Sequence, residues 1–325
     1  MTDPASGNGL RDSLHVWAGA LAGLRRFFAE RGVLEVQTPL ARDYAVTEPY
    51  QHCFQILDPA ASGAAAGFLQ PSPESAMKQL LAAGSGSIYQ LCKAFRAGES
   101  GSNHRTEFTM LEWYRVSYDH LQLMDEVAEL VNEMLAPRAV ERITWREAFI
   151  RHAEVDPATA GLEKLIEQLP ESMLFSDDGC SSDPVSMNDG KRRRILDRLL
   201  VSRVEPHLGR GCMTFLYDYP ADQAALARVR DGSWPVAERF ELYIDGLEIA
   251  NGFHELNDSA EQRRRFERDN RQRKQDGLAE VRIDEPLLDC LDSLPNCAGV
   301  ALGVDRLIKI STGADAVGEN LPDLM

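Results

Sequence analysis

Two strand pairs limit what this chain can fold into. Ile88–Phe95 and Glu107–Tyr114 are runs of strand length joined by a polar loop that carries two glycines. Glu238–Asp245 and Leu247–Leu256 meet at Asp245-Gly246, a dipeptide suited to the two-residue turn of an antiparallel hairpin. Helical patterns fall between these strands. Leu14, Trp17, Ala18, Leu21, Leu24 and Phe28 repeat at spacings of three and four, which predicts a helix over 11–31 stopped by Gly32. Ser72 as N-cap and Pro73 at the first helical position predict a second helix ending near Ala83. Further helices are expected over 119–135, 191–204 and 259–276. Short strands are expected at 33–36, 50–57 and 213–219, with a strand and helix start over 300–310. Asp58–Gly67 and Ser176–Gly190 read as loops, and 137–190 otherwise carries little signal. Antiparallel hairpins interleaved with helices predict an α+β fold, a mostly antiparallel sheet flanked by helices.

Composition narrows the function classes. With 325 residues, 44% hydrophobic and 26% charged, the chain has the balance of a soluble enzyme with a sizeable core. A net charge of −16 argues against a large nucleic-acid interface, which needs a basic footprint to neutralise phosphates. The one concentrated basic run, Arg263–Lys274, holds seven cations among acids. It reads as a solvated helix face, or more sharply as a contact for an acidic partner or RNA phosphate. The six cysteines form no C-x-x-C pair and read as reduced cytosolic thiols. The polar N-terminus and the absence of an 18-residue apolar stretch predict neither secretion nor membrane insertion, hence a cytoplasmic protein.

Three separated segments hold the residues suited to chemistry: FRAGESGSNHRTEFTMLEWY from Phe95, EIANGFHE from Glu248 and GVALGVDR from Gly299. Arg96 and Arg306 offer the fixed, forked positive charge that a triphosphate needs. Taken singly, each could equally be a surface or salt-bridged arginine. Glu248 and Glu255 are seven apart, so a regular strand would turn them to opposite faces; a bulge at Asn251-Gly252 would restore one face. There they could hold Mg²⁺ or neutralise a substrate ammonium. Glu112 and Tyr114 share strand parity, and their side is either solvated or part of a site. His104 is a loop histidine that could approach phosphate, and Ser72 is a helix cap or part of a pocket floor.

In this order the segments resemble the signature motifs of class II aminoacyl-tRNA synthetases. GVLEVQTPL (32–40) is similar to the first motif, Phe95–Tyr114 to the second and Gly299–Arg306 to the third. FTMLEWY and ANGFHELND resemble the lysyl branch, and within it the short paralogues that modify elongation factor P. The resemblance covers nearly the whole chain. It implies the catalytic core as a single domain over residues 1–325, without an N-terminal anticodon-binding domain, and dimeric through 20–45. It implies ATP and Mg²⁺ as cofactors, (R)-β-lysine or lysine as substrate, elongation factor P as acceptor, and no role for tRNA. By the same resemblance Arg96, Glu99, His104, Arg105, Glu248, Ile249, Gly303 and Arg306 would surround the nucleotide. Ser72, Glu74, Tyr114 and Glu255 would hold the amino acid, and Glu248 and Glu255 the metal. Two positions depart from the family pattern: Gly98 stands where an acid is usual, and Arg105 where an Asn is usual. The implied activity is amino-acid activation as an adenylate, then transfer to a lysine ε-amine. The rivals are a tRNA-charging or free-standing amino-acid ligase, and a non-catalytic ligand-binding regulator.

Overall fold

The computed structural model describes residues 7–61, 63–173 and 184–318. The helices are α1 (Gly7–Glu30), α2 (Glu74–Ala82), α3 (His120–Met134), α4 (Trp145–His152), α5 (Leu162–Glu167), α6 (Pro184–Leu199), α7 (Ser259–Gln275), α8 (Glu285–Leu291) and α9 (Val304–Thr312). The strands begin with β1 (Leu34–Glu35), β2 (Ala41–Arg42), β3 (Gln55–Asp58), β4 (Ala64–Leu69), β5 (Ile88–Phe95) and β6 (Glu107–Val116). They continue with β7 (Val140–Thr144), β8 (Met213–Pro220), β9 (Val229–Arg230), β10 (Val236–Ile244), β11 (Leu247–His254) and β12 (Cys297–Gly303).

The fold is α+β. Nine strands form one sheet in the order β1-β5-β6-β12-β11-β10-β8-β7, with β9 alongside β10. Only the outermost pairs, β1–β5 and β7–β8, are parallel. The β10–β11 hairpin turns at Asp245-Gly246, both in the left-handed region (φ 52° and 79°), as the dipeptide predicts. A small antiparallel sheet, β2-β4-β3, stands apart.

Alternation along the central strands divides the sheet into two chemically different faces. One face carries Leu111 and Trp113, Val300 and Leu302, Ala250, Phe240 and Leu242, and it packs under α1 and α3 as the main core. Phe28 of α1 stacks on Tyr89 at 4.4 Å and meets Trp113 edge-on at 5.4 Å. The opposite face is covered only at its two ends. A cluster from α4, α6, β7 and β8 covers one end, and one from α2, α7 and α8 covers the other. The middle is left to the polar residues of β6, β12, β11 and β10.

Some expectations are corrected. Asp58–Gly67 is not a loop throughout: Ala64–Leu69 forms β4, because pairing with β2 and β3 outweighs the weak strand propensity of Ala and Gly. Helix α2 begins one residue late, with Pro73 rather than Ser72 as N-cap. Leu14 and Ala18 lie on the exposed side of α1, and Phe27 is buried instead. The bulge in β11 falls at Ile249, between Glu248 and Ala250, not at Asn251-Gly252. Residues 184–190 belong to α6 rather than a loop, while 176–183 lie outside the described residues. No helix among the described residues is long and apolar enough to cross a membrane.

Phe28 joins α1 to two strands of the sheet, so Phe28→Ala is expected to destabilise the protein by about 3–5 kcal/mol. Urea unfolding of the two proteins measures this.

Candidate active site

The middle of this second face is organised by register. Gln90, Glu112, Ala301, Asn251 and Glu241 face one another in a row across β5, β6, β12, β11 and β10. The next row is Ile88, Tyr114, Gly299, Phe253 and Arg239. The small residues of β12 lie at the centre of both rows and keep the floor low. A Cβ on Gly299 would sit 2.3 Å from the Tyr114 ring and 2.4 Å from the Glu255 carboxylate. The bulge at Ile249 lets Glu248 share this face with Asn251 and Phe253, and Glu255 continues the same parity.

One half of the face is a pocket of carboxylates around a single ammonium. Lys78 of α2 is buried, with its Nζ 2.7 Å from Glu74 and 2.6 Å from Glu255. Tyr114 donates to Glu112 Oε1 at 2.7 Å, and Glu112 Oε2 has no hydrogen-bond partner among the described residues. Lys78, Glu112, Tyr114 and Glu255 are each no more than 2% exposed. Burial raises the Glu112 pKa to about 8, reinforced by Glu74 and Glu255. Burial likewise raises Glu255 to about 7, with Glu74 adding to the rise and Lys78 opposing it. For Lys78, burial alone would lower the pKa; Glu255 and Glu74 reverse this and hold the ammonium charged. With all three acids ionised, the pocket would carry two net negative charges.

The other half gathers arginines at the strand ends. Arg306, in the first turn of α9, donates to the Glu248 backbone carbonyl at 2.7 Å and to its carboxylate at 3.3 Å. Its other terminal nitrogen lies 2.9 Å from His104 Nε2. Gly303 is the N-cap of α9, with the Arg306 stem 3.4 Å from where a Cβ would be. Arg96, at the end of β5, lies 5.2 Å from the Phe108 ring centroid and 3.7 Å from Glu99. Arg96 Nε and Asn251 Oδ1 are buried and have no hydrogen-bond partner among the described residues. Burial raises the Glu248 pKa, and Glu241 adds to it against the pull of Arg306 and Arg96. Glu205 behaves alike, raised to about 7 by burial and then by Glu241 and Glu248.

Most of the expected residues therefore lie in one of the two halves. Glu248 and Glu255 share a face, but each has its own neighbours: Glu248 has Arg306 and Glu241, and Glu255 has Lys78 and Glu74. Ser72 precedes α2, and its hydroxyl accepts from the Glu74 amide at 3.4 Å. The Ile249 side chain is in the core behind the sheet, because the bulge turns it there, so only its backbone can serve the front. Arg105 packs against Gly318. Sequence reasoning passed over Lys78, Glu241, Asn251 and Arg239. Arg239 and Glu241 carry a readable signal: in Arg239–Ile244, Arg239, Glu241 and Tyr243 alternate strictly with Phe240, Leu242 and Ile244. The basic run on α7 is in part engaged by other groups of the protein, while Arg268, Arg271 and Lys274 stay exposed. Arg263 pairs with Glu285, Arg264 and Arg265 with Glu261, and Arg273 donates to the carbonyls of Ala279 and Glu48.

Residues 6–322 match the family described as tRNA synthetases class II (D, K and N). The chain belongs to this class II synthetase family. It is also similar to proteins named elongation factor P–(R)-β-lysine ligase. It is 45% identical to that of Yersinia enterocolitica and 44% identical to that of Salmonella typhi, in each case over 93% of this chain and 91% of the relative. The corresponding protein of Edwardsiella ictaluri is 46% identical over the same shares. In this class II synthetase the three motif segments recognised in the sequence supply β1, the β5–β6 pair and the β12–α9 junction.

Lys78→Met removes the only ammonium between Glu74 and Glu255. It is expected to cost about 3–5 kcal/mol where both acids are ionised. The loss should shrink as pH falls through about 7, where Glu255 takes up a proton. Urea unfolding at pH 8.5 and at pH 6, about one unit or more on either side, measures both effects.

Proposed function

We propose that this chain is an ATP-dependent ligase that activates (R)-β-lysine as its adenylate and transfers it to a lysine ε-amine of elongation factor P. The names of its relatives support the acceptor and the amino acid. The observation that carries the reading is the charge of the pocket. Glu74, Glu112 and Glu255 surround one ammonium; burial, Glu74 and Glu255 raise Glu112 to about 8, and burial and Glu74 raise Glu255 to about 7 against the pull of Lys78. A substrate with two ammonium groups supplies the charge this pocket lacks. A monoamine or an acidic amino acid does not.

In the first step an oxygen of the substrate carboxylate attacks the α-phosphorus of ATP, and pyrophosphate leaves with the bonding electrons. Arg96 and Arg306 stabilise the charge that builds on the phosphoryl oxygens, since both forks stand at the open end of the sheet. Mg²⁺, when bound, supplies further neutralisation of the phosphates. Glu248 with Glu241 fits such a cation, because their mutual repulsion in a desolvated setting is what a divalent ion relieves. Phe108 offers a ring and Arg306 a guanidinium plane for the base. Asn251 Oδ1 and Arg96 Nε are buried polar atoms still open to a ligand. In the second step the neutral ε-amine of the acceptor attacks the acyl carbon, an amide forms and AMP leaves. Holding adenylate and amine in line supplies much of this step.

Two further features accompany the proposal. Leu34 and Leu40 in the first-motif segment are 57% and 39% exposed, an apolar surface suited to a second copy of the chain. On α7, Arg263, Arg264 and Arg265 are ion-paired within the protein, while Arg268, Arg271 and Lys274 remain exposed.

ATP–pyrophosphate exchange run side by side with (R)-β-lysine, α-lysine and aspartate tests the reading. Exchange led by (R)-β-lysine is expected, and Arg306→Ala should lower its rate by about 10²–10³-fold. Exchange led by aspartate would overturn the substrate, and undiminished exchange in Arg306→Ala would overturn the site.

A further inference from the structure

Behind the sheet, on the face opposite the catalytic pocket, four metal-binding side chains converge where the function just proposed has no use for them. Glu238 of β10 and His254 of β11 are cross-strand neighbours, with His254 Nδ1 2.5 Å from Glu238 Oε2. His120 is the first residue of α3, and its ring lies nearly parallel to that of His254 at 6.4 Å. One donor atom each from His120, Glu238 and His254 lies within 4.8 Å of the others. Asp218 adds a fourth: its Oδ1 is 3.8 Å from His120 Nε2. Asp218 reaches this point because β8 and β10 slip register beside it, and its own backbone is left-handed (φ 57°).

Three observations separate this cluster from an ordinary buried network. His120 is 3% exposed, and neither ring nitrogen has a hydrogen-bond partner among the described residues; Asp218 Oδ1 lacks one too. Buried polar atoms of this kind are costly unless something satisfies them. His254 Nε2 faces Asn296 Oδ1 at 2.9 Å. If that nitrogen carries the proton, Nδ1 turns a lone pair toward a carboxylate oxygen, an arrangement that a cation resolves. Finally, Arg230 holds the outer oxygens of both acids, Asp218 Oδ2 at 2.6 Å and Glu238 Oε1 at 3.3 Å. The inner oxygens are left aimed at the two imidazoles. Outer partners that orient the ligands in this way are the usual support of a built metal site.

We propose that His120, Glu238 and His254, with Asp218 beside them, form a structural site for a divalent transition metal of the zinc class. Two imidazoles with carboxylates are a donor set that Zn²⁺ accepts and that Mg²⁺, which prefers oxygen and retained water, does not. Tetrahedral ligands at about 2.0–2.2 Å from Zn²⁺ stand about 3.3–3.6 Å apart, so His254 Nδ1 and Glu238 Oε2, now 2.5 Å apart, would have to separate while the more distant donors, within 4.8 Å, close in. The metal would tie the start of α3 to β8, β10 and β11. His254 immediately precedes Glu255, so the site would also brace the strand end that presents Glu255 to Lys78 on the other face.

The test uses the full chain, stripped by chelator and titrated with Zn²⁺ in excess Mg²⁺, which occupies the nucleotide site. Wild type is expected to retain one equivalent of Zn²⁺ through gel filtration and His120→Leu to lose it. Zn²⁺ should raise the melting temperature of wild type and not of His120→Leu, while in chelator the two melt alike. Asn296→Ala should weaken Zn²⁺ binding by about 10–100-fold. Should His120→Leu fail to fold, Co²⁺ added to stripped wild type decides the matter through the visible absorption of a low-coordinate nitrogen–oxygen site. No such absorption, or no equivalent of Zn²⁺ in wild type beyond what the variant holds, overturns the proposal. Either result would leave His254 held by Glu238 and Asn296 alone.

Discussion

The ammonium of Lys78, buried between Glu74 and Glu255, is the contact on which the site depends. A fully buried charge is tolerable only when paired, and here two carboxylates share one lysine. That arrangement fixes α2 against the strand end at Glu255. It also leaves the pocket short of positive charge, because Glu112 adds a third acid whose second oxygen has no hydrogen-bond partner among the described residues. The same contact therefore holds the pocket together and, on the function proposed, leaves it suited to a diamine.

Around this contact the sheet separates structural from chemical work by parity. Leu111, Trp113, Val300, Leu302, Phe240 and Leu242 bury one face under α1 and α3. Glu112, Tyr114, Asn251, Glu241 and Arg239 stand on the other, over a floor of Gly299 and Ala301. One inserted residue, Ile249, brings Glu248 onto the chemical face and within reach of Arg306. Register, with α2 and α9 docked at its ends, thus places a carboxylate-rich pocket and an arginine-lined end on one surface, as the adenylation proposed would require.

Much of this was legible in the sequence. The hairpin at Asp245-Gly246, the β5–β6 pair and helices α1, α3 and α7 follow from turn chemistry and periodicity. The family resemblance, borne out by the match over residues 6–322, gave order to Arg96, Glu248, Glu255 and Arg306, which a single segment could not. What was not legible depended on long-range pairing. Strand β4, built of Ala, Gly, Phe and Leu, exists because two neighbours pair with it. The bulge lies at Ile249 because of the partner register in β10, which local composition does not encode. Lys78 looks like any helical lysine until α2 is docked against Glu255, 177 residues further on. The His120–Glu238–His254 cluster joins α3 to the much later β10–β11 hairpin and has no local motif.

On the function proposed, the pocket stays short of positive charge until a diamine enters. Calorimetry of lysine binding in buffers of different ionisation enthalpy tests it most directly, because it counts protons exchanged on binding. Glu112 and Glu255, raised to about 8 and about 7, are partly protonated at pH 7. Two incoming ammonium groups lower both, so protons are released on binding near pH 7, and the release fades at pH 9, about one unit or more above both. Binding without proton release at pH 7, or equal release with the monoamine norleucine, would contradict the account.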